Sequence, residues 1–175
     1  MFFDSWMDLI KEFHGDEENT WFAFSEEDKK KIQVFRHSIS AKINEYITRN
    51  NFRKLGTDAA VPNDCFEEFY SYAKELVEKN EIDFVIYGHA GNSHIHLNML
   101  PKNESEFETG KNLYSLICKK AVELGGTVSA EHGIGKVKTD YFLMMYGEET
   151  VNKMLDLKKI FDPNLILGKG NIFKS

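Results

Sequence analysis

The sequence predicts an α+β fold: a ferredoxin-like antiparallel sheet with helices packed on one side, plus C-terminal helices. Three observations carry this expectation. Residues 82–87 (IDFVIY) form an apolar run of strand length, and residues 95–100 alternate, with Ile95, Leu97 and Met99 on one face and His96 and Asn98 on the other. The intervening turn, Gly88 to Ser93, joins the two as a hairpin. Apolar residues recur at helical spacing before and after this hairpin, so strands and helices are mixed along the chain. No repeat, low-complexity tract or flexible linker interrupts them, and a single domain is expected.

Taken in order, residues 1–19 read as a lead-in segment, with an amphipathic stretch at Trp6-Met7-Asp8-Leu9-Ile10 and a polar surface turn over 14–19. Residues 20–24 (TWFAF) are aromatic and short enough for a strand. Ser25 resembles the cap of a helix that continues to about Ile47. Asn50-Asn51 breaks that pattern, and residues 52–61 should run extended to Pro62, which restricts the residue before it. Asp64 then caps a helix carrying Phe69, Tyr72, Ala73, Leu76 and Val77 at helical spacing. After the hairpin, residues 104–124 are helical, with Leu113, Leu116, Ile117, Ala121 and Leu124 as the buried stripe and Gly125-Gly126 as the stop. A short strand at 127–130 precedes two helices, 137–146 and 148–161, the second ended by Asp162-Pro163. The tail, 165–173 (LILGKGNIF), is extended or looped.

At 175 residues with 42% hydrophobic content, the chain can bury a core without disulfides or a metal as staples. Its net charge of −6 offers no basic field, which argues against nucleic acid as a partner. Cys65 and Cys118 lie in no CxxC pattern and read as reduced, buried thiols. No run approaches the roughly 18 apolar residues of a membrane span, and the start, Met1-Phe2-Phe3-Asp4, has neither the basic nor the apolar region of a signal peptide; a cytoplasmic protein is expected.

The chemistry is concentrated in Gly88-His89-Ala90-Gly91-Asn92-Ser93-His94-Ile95-His96-Leu97-Asn98 and in Ser129-Ala130-Glu131-His132-Gly133-Ile134-Gly135. In a hairpin, His89 leaves one strand as His96 returns on the polar face of the next, so the two imidazoles come close in space. Glycines at 88 and 91 suit a tight turn. Glu131 and His132 are adjacent and would diverge on an extended backbone; Gly133 and Gly135 permit the curved loop on which both could serve one site. Imidazoles and a carboxylate are the donors that hold a borderline-soft divalent metal, and one further imidazole remains for proton transfer. His94, between turn and strand, is read as facing water and not as a ligand. Arg36 and Lys54 could hold a substrate carboxylate, although for either alone a solvated helix-face charge is the stronger reading. Gly168-Lys169-Gly170 lacks P-loop spacing and reads as a turn.

At these residues the chain resembles the C-terminal domain of FAD-linked oxidases of the vanillyl-alcohol-oxidase type, near the D-2-hydroxyacid dehydrogenases and oxidases acting on D-lactate, glycolate or D-2-hydroxyglutarate. The carrying segments are GHAGNSHIHLN at 88–98, GTVSAEHGIGKVKTDY at 126–141 and LKKIFDPNLILGKGNIF at 157–173, with weaker support from FRHSIS at 35–40 and KLGTDAAVP at 54–62. The resemblance spans residues 20–173. It implies that FAD lies in a separate domain, which this chain does not contain, while residues 20–175 form the substrate or cap domain. It further implies that His89, His96 and Glu131 hold a divalent metal, usually zinc, that ligates the hydroxyl and carboxylate of a 2-hydroxy acid. His132 falls on the base, Asn98 on a substrate contact, and Arg36, Ser40 and Lys54 on groups around the substrate carboxylate. The resemblance assigns no FAD-binding residue to this chain.

The chain departs from the commoner motif where GDGN becomes Gly91-Asn92-Ser93-His94, and where a terminal NPGK becomes Leu167-Gly168-Lys169-Gly170. The implied partner is an FAD-binding domain, in cis or as a separate subunit, without which this chain would be inactive; a homodimer is also compatible. Two other classes stay open on the sequence: a stand-alone metallohydrolase using the same ligands, and a catalytically silent binding module of the same fold.

Overall fold

Aromatic rings, not a β-ladder, organise the first fifty residues. The computed structural model describes residues 2–51 and 53–173, and it divides into two compact units, Met1–Asn50 and Asn51–Ser175. Phe52, the expected start of the extended stretch, lies outside the described residues, as do Met1, Lys174 and Ser175.

In the first unit the expected lead-in contains a helix, α1 (Phe2–Glu12), and the expected strand at 20–24 is not formed. The rings of that segment instead pack on helices: Phe3 meets Phe22 and Phe24 at 4.7 and 5.5 Å between centroids, and Trp21 meets Phe35 at 5.3 Å. Edge and tilted ring pairs of this kind are favourable without any strand partner. The next helix, α2 (Glu26–Arg49), starts where expected. Ser25 accepts from the Asp28 N–H while the Asp28 carboxylate takes the Ser25 N–H, a reciprocal capping box.

The second unit is an α+β structure built around one strand. Strand β4 (His94–Met99) pairs antiparallel with β3 (Phe84–His89) along its whole length, forming the expected hairpin. On its other side it pairs with β1 (Leu55–Gly56) and β2 (Ala59–Ala60), within the stretch expected to be extended. Beneath the sheet lie α3 (Phe66–Lys79) and α4 (Glu104–Glu123). Phe69, Ala73 and Val77 of α3, and Leu113, Ile117 and Ala121 of α4, meet Ile95, Leu97 and Met99 in one apolar core. The alternation of β4 is therefore as expected, but its polar face is buried too.

Several local expectations are corrected. Asp64 does not cap α3; it lies in a 3-10 turn (Asn63–Cys65), and the helix starts after Cys65 without a side-chain cap. Leu116 is 43% exposed, and Cys118 takes the buried position on α4. Both cysteines are free, with Cys118 buried and Cys65 half-buried. Residues 127–130 contribute a single bridge, Ala60 to Thr127, because the chain then turns toward Asp58. The last helix, α5 (Thr139–Phe161), is broken at Gly147 (φ 73°, ψ 161°), which accounts for the two helices expected there. The tail forms turns, held where Asp162 accepts from the N–H groups of Ile166 and Leu167. No helix among the described residues is long and apolar enough to cross a membrane.

Because Leu97 is fully buried at the centre of β4, Leu97→Ala should cost about 3 kcal/mol in urea denaturation. Leu116→Ala, on the same test, should stay within about 0.5 kcal/mol of the wild type.

Candidate active site

The site follows from strand register. β3 and β4 pair so that His89 stands opposite His94, Tyr87 opposite His96 and Val85 opposite Asn98. On the other side of β4, Ala60 stands opposite His94 and Gly56 opposite Asn98, and the same register carried between them sets Asp58 opposite His96. Directly opposed residues share a face, so His89, His94, His96, Asn98 and Asp58 all project from the side of the sheet away from α3 and α4. The spacing alone pairs His89 with His96; the register makes His94 its direct neighbour. Gly88 is needed for this turn, since a Cβ there would lie 2.3 Å from the His94 carbonyl oxygen. Gly91 is under no such constraint, and Ser93 supplies the left-handed residue (φ 49°).

The ladder gives way at Thr57 and Asp58. Leu97 donates its N–H to the Thr57 hydroxyl (3.1 Å) instead of the Thr57 carbonyl, which lies 3.3 Å from His96 Nδ1. Asp58 is 1% exposed and is the hub of the face. Its Oδ2 accepts from the His132 N–H (2.9 Å), Lys138 Nζ (2.9 Å) and Ser129 Oγ (3.0 Å), and its Oδ1 accepts from the Glu131 N–H (3.2 Å). Burial alone would raise its pKa, but the His132 N–H and the Lys138 ammonium outweigh that and hold it at about 2. Lys138 also donates to the Val128 carbonyl, pinning the loop of residues 128–138 to the sheet. Positive φ at Gly133 and Gly135 gives this loop the curvature expected of it.

That loop delivers Glu131 and His132. Glu131 Oε1 lies 3.2 Å from His89 Nε2 and 3.7 Å from His94 Nδ1, and Oε2 lies 3.4 Å from His96 Nε2. The His132 ring stacks on His96 with centroids 5.2 Å apart, and its Nδ1 is 3.8 Å from Asp58 Oδ2. His94, expected to face water, is buried among these groups, and burial, then the neighbouring His96, lowers its pKa. Its Nε2 lies 3.2 Å from Asp58 Oδ1 but without the alignment of a hydrogen bond, and it has no other partner.

Three sets of donor atoms lie mutually within 4.8 Å: His89, His94 and Glu131; His96, Glu131 and His132; Asp58, His94 and His96. The expected ligands His89, His96 and Glu131 are thus divided between two sets that share Glu131. Nitrogen and carboxylate oxygen donors so grouped, with a buried imidazole nitrogen left unsatisfied among them, fit a divalent cation of the zinc type. Asn98 is buried and donates to the His96 carbonyl. It shares the neighbourhood of Gly56 with Lys54: a Cβ on that glycine would lie 2.7 Å from Asn98 Oδ1 and 3.6 Å from Lys54 Cε. Arg36 and Ser40 are exposed on α2, in the first unit. Asp58 and Lys138 are site residues that the sequence does not single out. A polar pair, Thr57-Asp58, amid short-chain residues of an extended stretch is the available signal.

Residues 7–172 match the family described as FAD linked oxidases, C-terminal domain. The chain belongs to this family. Its relatives include the glycolate oxidase subunit GlcD of Bacillus subtilis, 34% identical over 66% of this chain and 25% of the relative. A D-lactate dehydrogenase of Archaeoglobus fulgidus is 38% identical over 67% of this chain and 26% of the relative. The mitochondrial cytochrome D-lactate dehydrogenase of Kluyveromyces lactis is 29% identical over 94% of this chain and 29% of the relative. The chain spans between a quarter and a third of the length of these curated relatives. The FAD-linked oxidase family to which it belongs is one of oxidoreductases.

Asp58→Asn should destabilise the second unit by about 3 kcal/mol at pH 7, since it leaves the Lys138 ammonium buried without its counter-charge. Asp58 has a depressed folded pKa, so its contribution is complete above the unfolded value of 3.8 and disappears as pH falls toward 2. The stability gap between wild type and variant in urea titrations should narrow over that window.

Proposed function

We propose that this chain is the substrate-binding domain of an FAD-dependent D-2-hydroxyacid dehydrogenase or oxidase, of D-lactate or glycolate type, that converts a 2-hydroxy acid to the 2-oxo acid. The observation that carries the reading is the convergence of the His89, His94 and His96 imidazoles on the Glu131 carboxylate, with the His132 ring stacked on His96 beside the buried Asp58. A bound divalent cation, zinc by donor type, would polarise the substrate hydroxyl and lower its pKa. FAD, held by another domain or subunit, would accept the hydride from the α-carbon.

The chain's own residues then have separable tasks. His89, His96 and Glu131 would hold the cation. His132 would take the hydroxyl proton: Nδ1 sits beside Asp58, which leaves Nε2 as the nitrogen for transfer. Proton to His132 and hydride to flavin together account for both hydrogens lost in forming the 2-oxo acid. Asn98 and Lys54 would orient the substrate carboxylate, an ammonium and an amide being suited to that charge. Arg36 and Ser40 are proposed as substrate contacts on the resemblance alone. Asp58 and Lys138 contact no substrate and act as positioning residues. With FAD held outside these residues, the isolated chain should not turn over, and a cytoplasmic setting agrees with free cysteines.

Metal analysis of the purified chain tests the reading. Wild type should carry about one divalent ion per chain, and His89→Ala and His96→Ala should each lose most of it; full retention in both would refute the site. In the assembled flavoenzyme, His132→Ala should lower kcat by about a hundredfold or more while leaving metal content intact, measured with D-lactate and a dye acceptor.

A further inference from the structure

We infer that His94 is itself a protein ligand of the cation, so that this chain encloses it with three imidazoles and one carboxylate. The inference rests on the metal reading above and deepens it. The register sets His94 directly across from His89. Its Nδ1 and His89 Nε2 approach the same oxygen, Glu131 Oε1, at 3.7 and 3.2 Å, and the three donor groups lie mutually within 4.8 Å. Two imidazoles and one carboxylate in such a triangle are a donor set that suits zinc.

The other ring nitrogen decides between ligation and a merely structural role. His94 Nε2 is buried, has no hydrogen-bond partner, and lies 3.2 Å from Asp58 Oδ1. Its best use is to carry the ring proton toward that carboxylate, a small ring rotation bringing it into line. The lone pair then sits on Nδ1 and faces the Glu131 oxygen, an arrangement of two acceptors that a cation between them makes favourable. This is the carboxylate–histidine–metal pattern, in which an outer carboxylate fixes tautomer and ring orientation.

Asp58 could instead be a ligand, since it falls with His94 and His96 in a third close set. Its oxygens, however, already accept from two backbone N–H groups, from Ser129 and from the Lys138 ammonium 2.9 Å away. A cation there would displace or repel that ammonium. Asp58 therefore orients, and His94 binds. A third imidazole also raises the preference for zinc, cobalt or nickel over manganese, because imidazole suits the former ions and carboxylate and water suit the latter.

The experiment uses the whole chain, stripped with chelator and titrated with Zn²⁺ against a chromophoric competitor and with Co²⁺ by visible absorption. Compared with wild type, His94→Asn should bind Zn²⁺ at least about tenfold more weakly, shift the Co²⁺ bands and narrow the Zn²⁺ over Mn²⁺ preference. His37→Asn, in the first unit, should change none of these. Equal Zn²⁺ affinity and unchanged Co²⁺ bands in His94→Asn, with one ion bound to each protein, would overturn the role of His94 while leaving the metal reading intact. A wild type that binds no ion would overturn both. Should His94→Asn fail to fold, the wild type answers directly: with ¹⁵N-labelled histidine, Zn²⁺ should shift His94 Nδ1 to a metal-bound position with Nε2 still protonated, and an unmoved Nδ1 refutes the inference.

Discussion

Asp58 keeps a carboxylate charge in a position closed to water, and four donors answer it: two backbone N–H groups, a hydroxyl and an ammonium. Removing a carboxylate from water is costly unless its lone pairs are filled, so these contacts are conditions for the fold and not additions to it. They also join distant parts of the chain. The strand segment at 54–60, the loop of 128–135 and the start of α5 are tied together because Ser129, Glu131, His132 and Lys138 all end on the same group. Glu131 and His132 are held in place through their backbones, by a residue more than seventy positions earlier.

β4 is the physical partner of this hub. One face, Ile95, Leu97 and Met99, is held by α3 and α4, and a slip of one residue would turn the histidines into the apolar core. Apolar packing on one side therefore fixes the register of the polar side. That register puts His94 and His96 between β3 and the Asp58 segment, with Ala60 and Gly56 leaving room beside them.

Periodicity reveals the hairpin, the helices and the two-sided character of β4, because each is written in local spacing. The family is legible for a similar reason, its motifs being contiguous. What local spacing cannot express is which residues oppose each other across strands. His94 reads as water-facing because its place between turn and strand says nothing about the Asp58 segment on its far side. Asp58 itself shows no pattern until the strand pairing is known. The aromatic run at 20–24 misleads in another way: strand-like composition is satisfied by ring packing against helices, which single-segment propensity does not distinguish from a sheet. Asp64 fails as a cap because a 3-10 turn intervenes, a boundary effect of one residue.

Exposure across the polar face is graded, and the gradient has a chemical sense. The side chains of Asp58, His94 and His96 are 1%, 4% and 11% exposed, whereas those of His89, Glu131 and His132 are 40%, 44% and 64% exposed. His94 and His96 stand on β4 and are locked by its register, and Asp58 lies between the short strands β1 and β2 that pair with it. Two of the exposed three stand on a loop, where side chains are otherwise loosely placed. Asp58 resolves that conflict by bonding the N–H groups of Glu131 and His132, so that their side chains reach the histidines from a fixed backbone. A group that must bind a ligand or move a proton needs a fixed origin and an unspent donor or acceptor, and anchoring through the backbone supplies both.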